Sequence, residues 1–178
     1  GLLLDFNKRA QTQGRAAKGV FFRRSYPELE EMEARAQQFY TGRAAWHGGR
    51  RTWTWRDGAT LKMRYLERDE HAGHYQGHSY SWLGFDEAGE FANPAAIDML
   101  RATLRSEYGA PCVIRSSGNP GGRGHNWLKA RYIDPAPPYR AFTHKDKVET
   151  GEEIRVRRLF IPATLEDNIL LSTADPDY

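Results

Sequence analysis

Two adjacent carboxylates, Asp86 and Glu87, close a short apolar run, Tyr80-Ser81-Trp82-Leu83-Gly84-Phe85. A buried strand ending in an acidic pair can hold a divalent cation through its first carboxylate while the second orients an attacking water. That is the chemistry of phosphoryl transfer to water. The bland alternative is a strand that simply runs out into an acidic turn, and the dipeptide alone does not separate the two. The apolar run before it and Ala88 after it favour the functional reading. The partner motif of such chemistry, a phosphate-cradling G-x-x-x-x-G-K-[ST], is nowhere in the 178 residues.

A second group of chemistry-bearing residues follows the next apolar run: Ser116-Ser117-Gly118-Asn119-Pro120-Gly121-Gly122. If Cys112 to Ser116 is a strand, Ser117 and Asn119 fall at its carboxyl edge, where open α/β sheets bind ligands. Their hydroxyl and amide groups suit hydrogen bonding to a phosphate. Gly121, Gly122 and Gly124 read as a flexible turn. Arg23-Arg24 also sits directly after an apolar strand, and either guanidinium could face a phosphate or a neighbouring subunit. A plain surface pair at a strand end is the competing reading. His71, His74 and His78 lie in a polar loop without cysteine, a poor frame for zinc.

The elements that must position these residues alternate. Leu2 to about Ala10 has helical spacing, and Gly19-Val20-Phe21-Phe22-Arg23 is a compact strand. Ser25-Tyr26-Pro27-Glu28 is a helix start, with Ser25 as N-cap and Glu28 three positions on, and the helix runs to about Tyr40. Arg51 to Trp55 and Thr60 to Leu66 flank Asp57-Gly58 as a β-hairpin, read as an antiparallel addition. Asn93-Pro94 opens a third helix with Ile97, Leu100 and Leu104 on one stripe, closed by Gly109. A helix from about Asn126 to Ile133 and a last strand from Arg157 to Ile161 complete the series. Strands alternating with helices predict an α/β domain with a mainly parallel sheet flanked by helices.

The mild net charge of +3 is carried mostly by arginine, compatible with a polyanionic partner without demanding one. Cys112 stands alone, which excludes a disulfide framework and a thiolate metal cluster, and its apolar neighbours Val113 and Ile114 suggest a buried thiol. No apolar stretch approaches the length of a membrane span, and residues 1–6 lack the pattern of a secretion signal. A reducing, cytoplasmic setting is expected. The five tryptophans are expected to pack rather than to stack on bases.

Taken in order, several blocks resemble the N-terminal ATPase domain of the large terminase subunit of tailed bacteriophages. They are Phe21-Phe22-Arg23-Arg24-Ser25-Tyr26-Pro27-Glu28-Leu29, Tyr75-Gln76-Gly77-His78, Trp82-Leu83-Gly84-Phe85-Asp86-Glu87-Ala88, Ser117-Gly118-Asn119-Pro120, and Phe160-Ile161-Pro162-Ala163-Thr164 with Asp167-Asn168. The resemblance implies a P-loop NTPase fold of the RecA-like, ASCE type. It implies a motor that couples ATP hydrolysis to movement of viral DNA into a procapsid, with ATP and Mg²⁺ as cofactors. Asp86 would be the Walker B metal aspartate and Glu87 the catalytic glutamate. Ser117 and Asn119 would belong to the coupling motif, and Arg23 and Arg24 to a recurring arginine block.

Double-stranded DNA, a portal protein, a small terminase subunit and further copies in a ring are the implied partners. The implied place of action is the bacterial host cytoplasm, docked on the procapsid. The Walker A loop and a C-terminal nuclease domain are expected outside this sequence. Residues 1–162 are then expected to form the ATPase core, and 163–178 the start of a linker. The alternatives are a DExx-box helicase-like ATPase, or a non-catalytic DNA- or protein-binding module that keeps the fold.

Overall fold

The structure, a computed structural model, describes residues 1–147, 153–164 and 167. The chain divides into two compact units, 1–125 and 126–178. The first is an α/β unit around a six-stranded sheet in the order β2-β3-β4-β1-β5-β6. Its strands are β1 (Lys18–Arg23), β2 (Ala44–His47), β3 (Thr52–Trp55), β4 (Thr60–Tyr65), β5 (Trp82–Phe85) and β6 (Val113–Ser116). β4, β1, β5 and β6 run parallel, and β2 and β3 are antiparallel. The expected mainly parallel sheet flanked by helices is therefore present.

β1 and β5 are buried on both faces, which is why their sequences are almost continuously apolar. Helices α1 (Leu2–Gln13) and α2 (Tyr26–Tyr40) supply apolar residues to one face. There Phe6 meets Trp55 and Trp82 edge-on, with centroids 5.4 and 5.2 Å away. The Trp82 indole N–H donates to the Asp5 carboxylate at 2.7 Å, tying α1 to β5. α2 starts where its sequence says: the Glu28 carboxylate accepts from the Ser25 N–H at 3.0 Å, one half of the capping box.

On the opposite face, only the β1–β5 half is covered by apolar rings. Phe22 stacks on Phe85 at 5.2 Å, and Tyr75 and Phe91 close over them edge-on. The β3–β4 half of that face carries Thr52, Thr54, Thr60, Lys62 and Arg64, since Trp53, Trp55, Leu61 and Met63 alternate with them into the core. Trp53 and Trp55 are buried and Trp46 packs against them, so these tryptophans are packing residues.

Several expectations need correcting. The hairpin of β3 and β4 exists, but β4 is not an antiparallel addition. It pairs in parallel with β1 over six residue pairs and belongs to the central sheet. β2 was not foreseen, because Ala44–His47 is short and only Trp46 in it is large and apolar. α3 (Ala95–Arg101) ends before Leu104. Thr103 Oγ1 donates to the Leu100 carbonyl, and the Thr103 carbonyl is taken by the Tyr80 N–H at 2.9 Å. Leu104 then bridges to Tyr80 instead of extending a stripe. Gly109 serves a later turn with φ 69°. β6 pairs only with β5 among the described residues, so this expected buried strand is half exposed and Cys112 beside it is exposed.

The second unit begins along α4 (His125–Leu128), which continues as a π turn over Lys129–Ile133. β7 (Phe142–Lys147) and β8 (Glu153–Arg158) form a separate antiparallel hairpin. The expected last strand, 157–161, is thus displaced toward the N-terminus, and β7 was not foreseen. β7 ends in three consecutive charged residues, Lys145-Asp146-Lys147, which hide its period, and β8 offers only Ile154 and Val156 as apolar residues between charged ones. Arg158 grips the Asp146 carboxylate with bonds of 2.7 and 2.6 Å. Of the expected linker, 163–178, only Ala163, Thr164 and Asp167 are described, and the rest lies outside the described residues, as does Asn168. Among the described residues, no helix is long and apolar enough to cross a membrane.

Candidate functional site

The four parallel strands finish at one sheet edge. Phe22 on β1 is level with Phe85 on β5, and Phe85 with Ser116 on β6. Arg23, Asp86 and Ser117 therefore arrive together at the carboxyl edge. β1 and β5 are also where the chain order reverses, since β4 lies on one side of β1 and β5 on the other. The crevice at such a switch point is where open α/β sheets take ligands.

Backbone pairing fixes this edge before any side chain contributes. The Asp86 N–H donates to the Phe22 carbonyl at 3.0 Å, and the Ser117 N–H to the Phe85 carbonyl at 2.9 Å. Both ladders thus extend one residue past the strands. The Ala88 N–H then donates to the Ser117 carbonyl at 2.8 Å, locking the turn after β5 to the start of the next loop.

Asp86 lies at the centre of the side-chain cluster. Its Oδ2 stands 3.0 Å from the Arg23 guanidinium, and its Oδ1 accepts from the Ser117 hydroxyl at 2.5 Å. The Arg23 and Asp86 side chains are only 11% and 16% exposed, so their attraction is weakly screened. Glu87 is 40% exposed, with Oε1 4.0 Å from the same guanidinium. Arg23 Nε is buried without a hydrogen-bond partner among the described residues.

Glu87 has φ 51° and ψ 51°, the left-handed region that a glutamate enters at a cost of about 1–2 kcal/mol. Strain of this kind persists where the surroundings over-determine it, and it gathers at functional sites. Here the surroundings are the loop after β6. A Cβ on Gly118 would lie 3.3 Å from the Ala88 and Gly89 nitrogens, and one on Gly122 only 2.6 Å from the Gly89 carbonyl oxygen. Gly124 donates its N–H to that same carbonyl at 2.7 Å. Gly122 is thus a close-packing glycine and not simply part of a flexible turn, while Gly121, at φ 92°, does serve the turn. No local sequence signal distinguishes these two roles.

The remaining expected residues divide. Ser117 belongs to the hydrogen-bonded cluster, whereas Asn119 is exposed on the loop outside it. Arg24 turns away from Arg23: it pairs with Asp69 at 2.9 Å and lies over the Phe91 ring at 5.1 Å. Asn93 donates to the other Asp69 oxygen at 3.0 Å, so Arg24 clamps the loop before α3. Asp69 and Phe91 were not singled out in the sequence, because a clamp made of distant residues leaves no local pattern. His71 stacks on His74 and His78 on Tyr80, with centroids 5.7 and 5.8 Å apart. Among the described residues, no group of three or more His, Cys, Asp or Glu could hold a metal ion.

Chemically, the edge offers one carboxylate with a fixed cationic neighbour, one hydroxyl aimed at that carboxylate, and one strained, more exposed carboxylate beside them. No protein-family model matches the chain, and no curated protein matches it.

Proposed function

We propose that this domain supplies the metal-handling and water-orienting half of a P-loop ATPase site, in a DNA-packaging motor of the terminase large-subunit kind. The observation that carries the proposal is the cluster of Arg23, Asp86 and Ser117 at the switch point, with the strained Glu87 next to it. Asp86 and Ser117 offer the small oxygen set that Mg²⁺ takes when waters and phosphate oxygens complete its shell. When bound, that ion neutralises charge on the phosphates during transfer. Glu87, more exposed than Asp86, accepts a hydrogen bond from the attacking water and orients it. The Arg23 guanidinium adds a fixed positive charge at this edge.

Phosphate binding in this reading belongs to an element outside these 178 residues. Sheet geometry supports one position for it. β2, at one end of the sheet, is four strands from β5, on the order of 19 Å. β6 adjoins β5 and pairs on one side only among the described residues. A strand-borne phosphate loop added at the outer edge of β6 reaches the carboxyl edge beside Ser117. Double-stranded DNA, a portal protein, a small subunit, further copies in a ring and a bacterial cytoplasmic setting follow from the same proposal.

The test is ATP turnover by the protein encoded by the complete native reading frame. Glu87→Gln is expected to lower turnover by at least about a hundredfold with the fold retained. Turnover close to wild type in that variant, or a reading frame without a phosphate-binding loop, overturns the proposal.

A further inference from the structure

The uncovered half of the sheet face gathers cations that are scattered in the sequence. His47 from β2, Arg50 from the following turn, and Lys62 and Arg64 from β4 line an open cleft of about 460 Å³, with Thr54 and Thr60 paired across its floor. No carboxylate contributes to the lining. Lys62 and Arg64 are two apart on one strand, so they share a face about 6.6 Å apart, where like charges repel. Burial and the Arg64 charge both push the Lys62 pKa down. The ammonium is held in place by the Tyr80 hydroxyl at 3.3 Å and lies 5.4 Å from the centre of that ring. Arg64 is fixed by donating to the Arg50, Arg51 and Met63 carbonyls. Lys62 and Arg64 are thus held in place in a cleft whose lining carries no carboxylate, although the Glu33 charge reaches Arg64 from outside it, and such a cleft suits a polyanion.

The lining of the first cleft points to a phosphate-bearing ligand. Arg64 also lines a second cleft of about 320 Å³ with Tyr65, Glu67, His71, His74 and Tyr75, so past the end of β4 the cations give way to a lining that includes one carboxylate. The first cleft has no Leu, Ile, Val, Met, Phe, Tyr or Trp in its lining, and a protein partner would find no apolar anchor pocket there. A phosphodiester backbone needs none, because cations and hydroxyl donors suffice. We infer that this face docks the sugar–phosphate backbone of a nucleic-acid strand, without reading its sequence, along Arg50, Lys62 and Arg64 with Thr54 and Thr60. The inference stands on charge and geometry alone and does not rest on the ATPase reading.

The test is fluorescence anisotropy of the 178-residue chain, without nucleotide, with a labelled mixed-sequence DNA duplex, a single strand of the same sequence and an RNA copy. Salt is varied over roughly 50 to 200 mM. At least one of the three probes is expected to bind, with affinity falling steeply as salt rises. Arg50→Gln with Lys62→Gln should weaken binding at least about fivefold at low salt and make the log–log salt slope shallower by nearly two. Thr54→Arg, on the same face, should tighten binding and steepen the slope. Removing equal charge elsewhere, by Arg155→Gln with Arg157→Gln on the β7–β8 hairpin, should change affinity by less than about twofold. Failure of all three probes to bind overturns the inference, as does an equal loss in the hairpin control. It also falls if polyglutamate competes as well as the nucleic acid does, or if Thr54→Arg leaves binding unchanged. Because no nucleotide is present, failure of the ATPase reading leaves these outcomes untouched.

Discussion

The Arg23 guanidinium, at the last position of β1, stands 3.0 Å from Asp86 Oδ2, one residue beyond the end of β5. Sixty-two residues of chain separate the two, yet the parallel pairing of β1 with β5 leaves them no other place to be. The pair joins two neighbouring strands at the edge where the proposed chemistry occurs. Arg23→Ala leaves Asp86 with the Ser117 hydroxyl but without its cation. A loss of about 2 kcal/mol in urea unfolding is expected. Arg23→Lys should lose less, since it keeps the charge but not the planar fork.

Glu87→Gly should act in the opposite direction on stability. The left-handed backbone that strains glutamate is open to glycine, so a gain of about 1 kcal/mol is expected by denaturant titration. In the complete protein the same variant should lose ATP turnover along with Glu87→Gln. A gain in stability joined to a loss of activity would identify the strain as functional. A loss of stability would show that the Glu87 carboxylate itself holds the turn.

Gly84 sits under the Trp82 indole, and a Cβ there would lie 2.0 Å from the ring. Gly84→Ala therefore forces a fully buried tryptophan off its packing against Phe6. The expected cost is about 3 kcal/mol, read as a lower urea midpoint with altered tryptophan fluorescence.

Gly122→Ala should separate the loop after β6 from the turn after β5. Its Cβ would stand 2.6 Å from the Gly89 carbonyl oxygen, which also accepts from the Gly124 N–H. Amide hydrogen exchange is expected to speed up at Gly124 and Ala88 while β1 and β5 keep their protection. If Gly124 exchanges at the wild-type rate, the loop is not held through this contact.

Alkaline stability should be set by buried phenols. Burial raises the pKa of Tyr75 to about 12, and raises those of Tyr40 and Tyr80 above the ordinary 10.0. The folded state then keeps protons that the unfolded state releases, so stability is full below pH 10 and falls as pH rises above it. Unfolding free energy measured across that range should drop, because the unfolded chain ionises these phenols at lower pH than the folded one does. Tyr40→Phe loses the 2.8 Å bond to the Leu3 carbonyl, about 1 kcal/mol near neutral pH, and should soften the alkaline decline.

The readable parts of the fold were those whose cause is local. α2 follows from Ser25, Pro27 and Glu28, and β1 and β5 from apolar runs that must be covered on both faces. The turn between β3 and β4 follows from Asp57-Gly58, with Gly58 at φ 84°. The parts that escaped depend on partners far away in sequence. β4 joins β1 in parallel because Leu61 and Met63 fill the core beside Phe21, which a hairpin pattern does not disclose. α3 stops at Arg101 because Tyr80 captures the Thr103 carbonyl, and Cys112 is exposed because β6 pairs on one side among the described residues.

The site divides in the same way. The sequence by itself determined the residue types: two carboxylates after a buried strand, a serine after the next, and an arginine after a third. Residue chemistry and strand period are local properties, so they survive without coordinates. Only the tertiary structure decided that Arg23 and Ser117 both meet Asp86, that Arg24 serves Asp69 instead, and that Arg50, Lys62 and Arg64 share one open face. Strand order and register set those distances. They come from burial of apolar side chains that have no part in the chemistry.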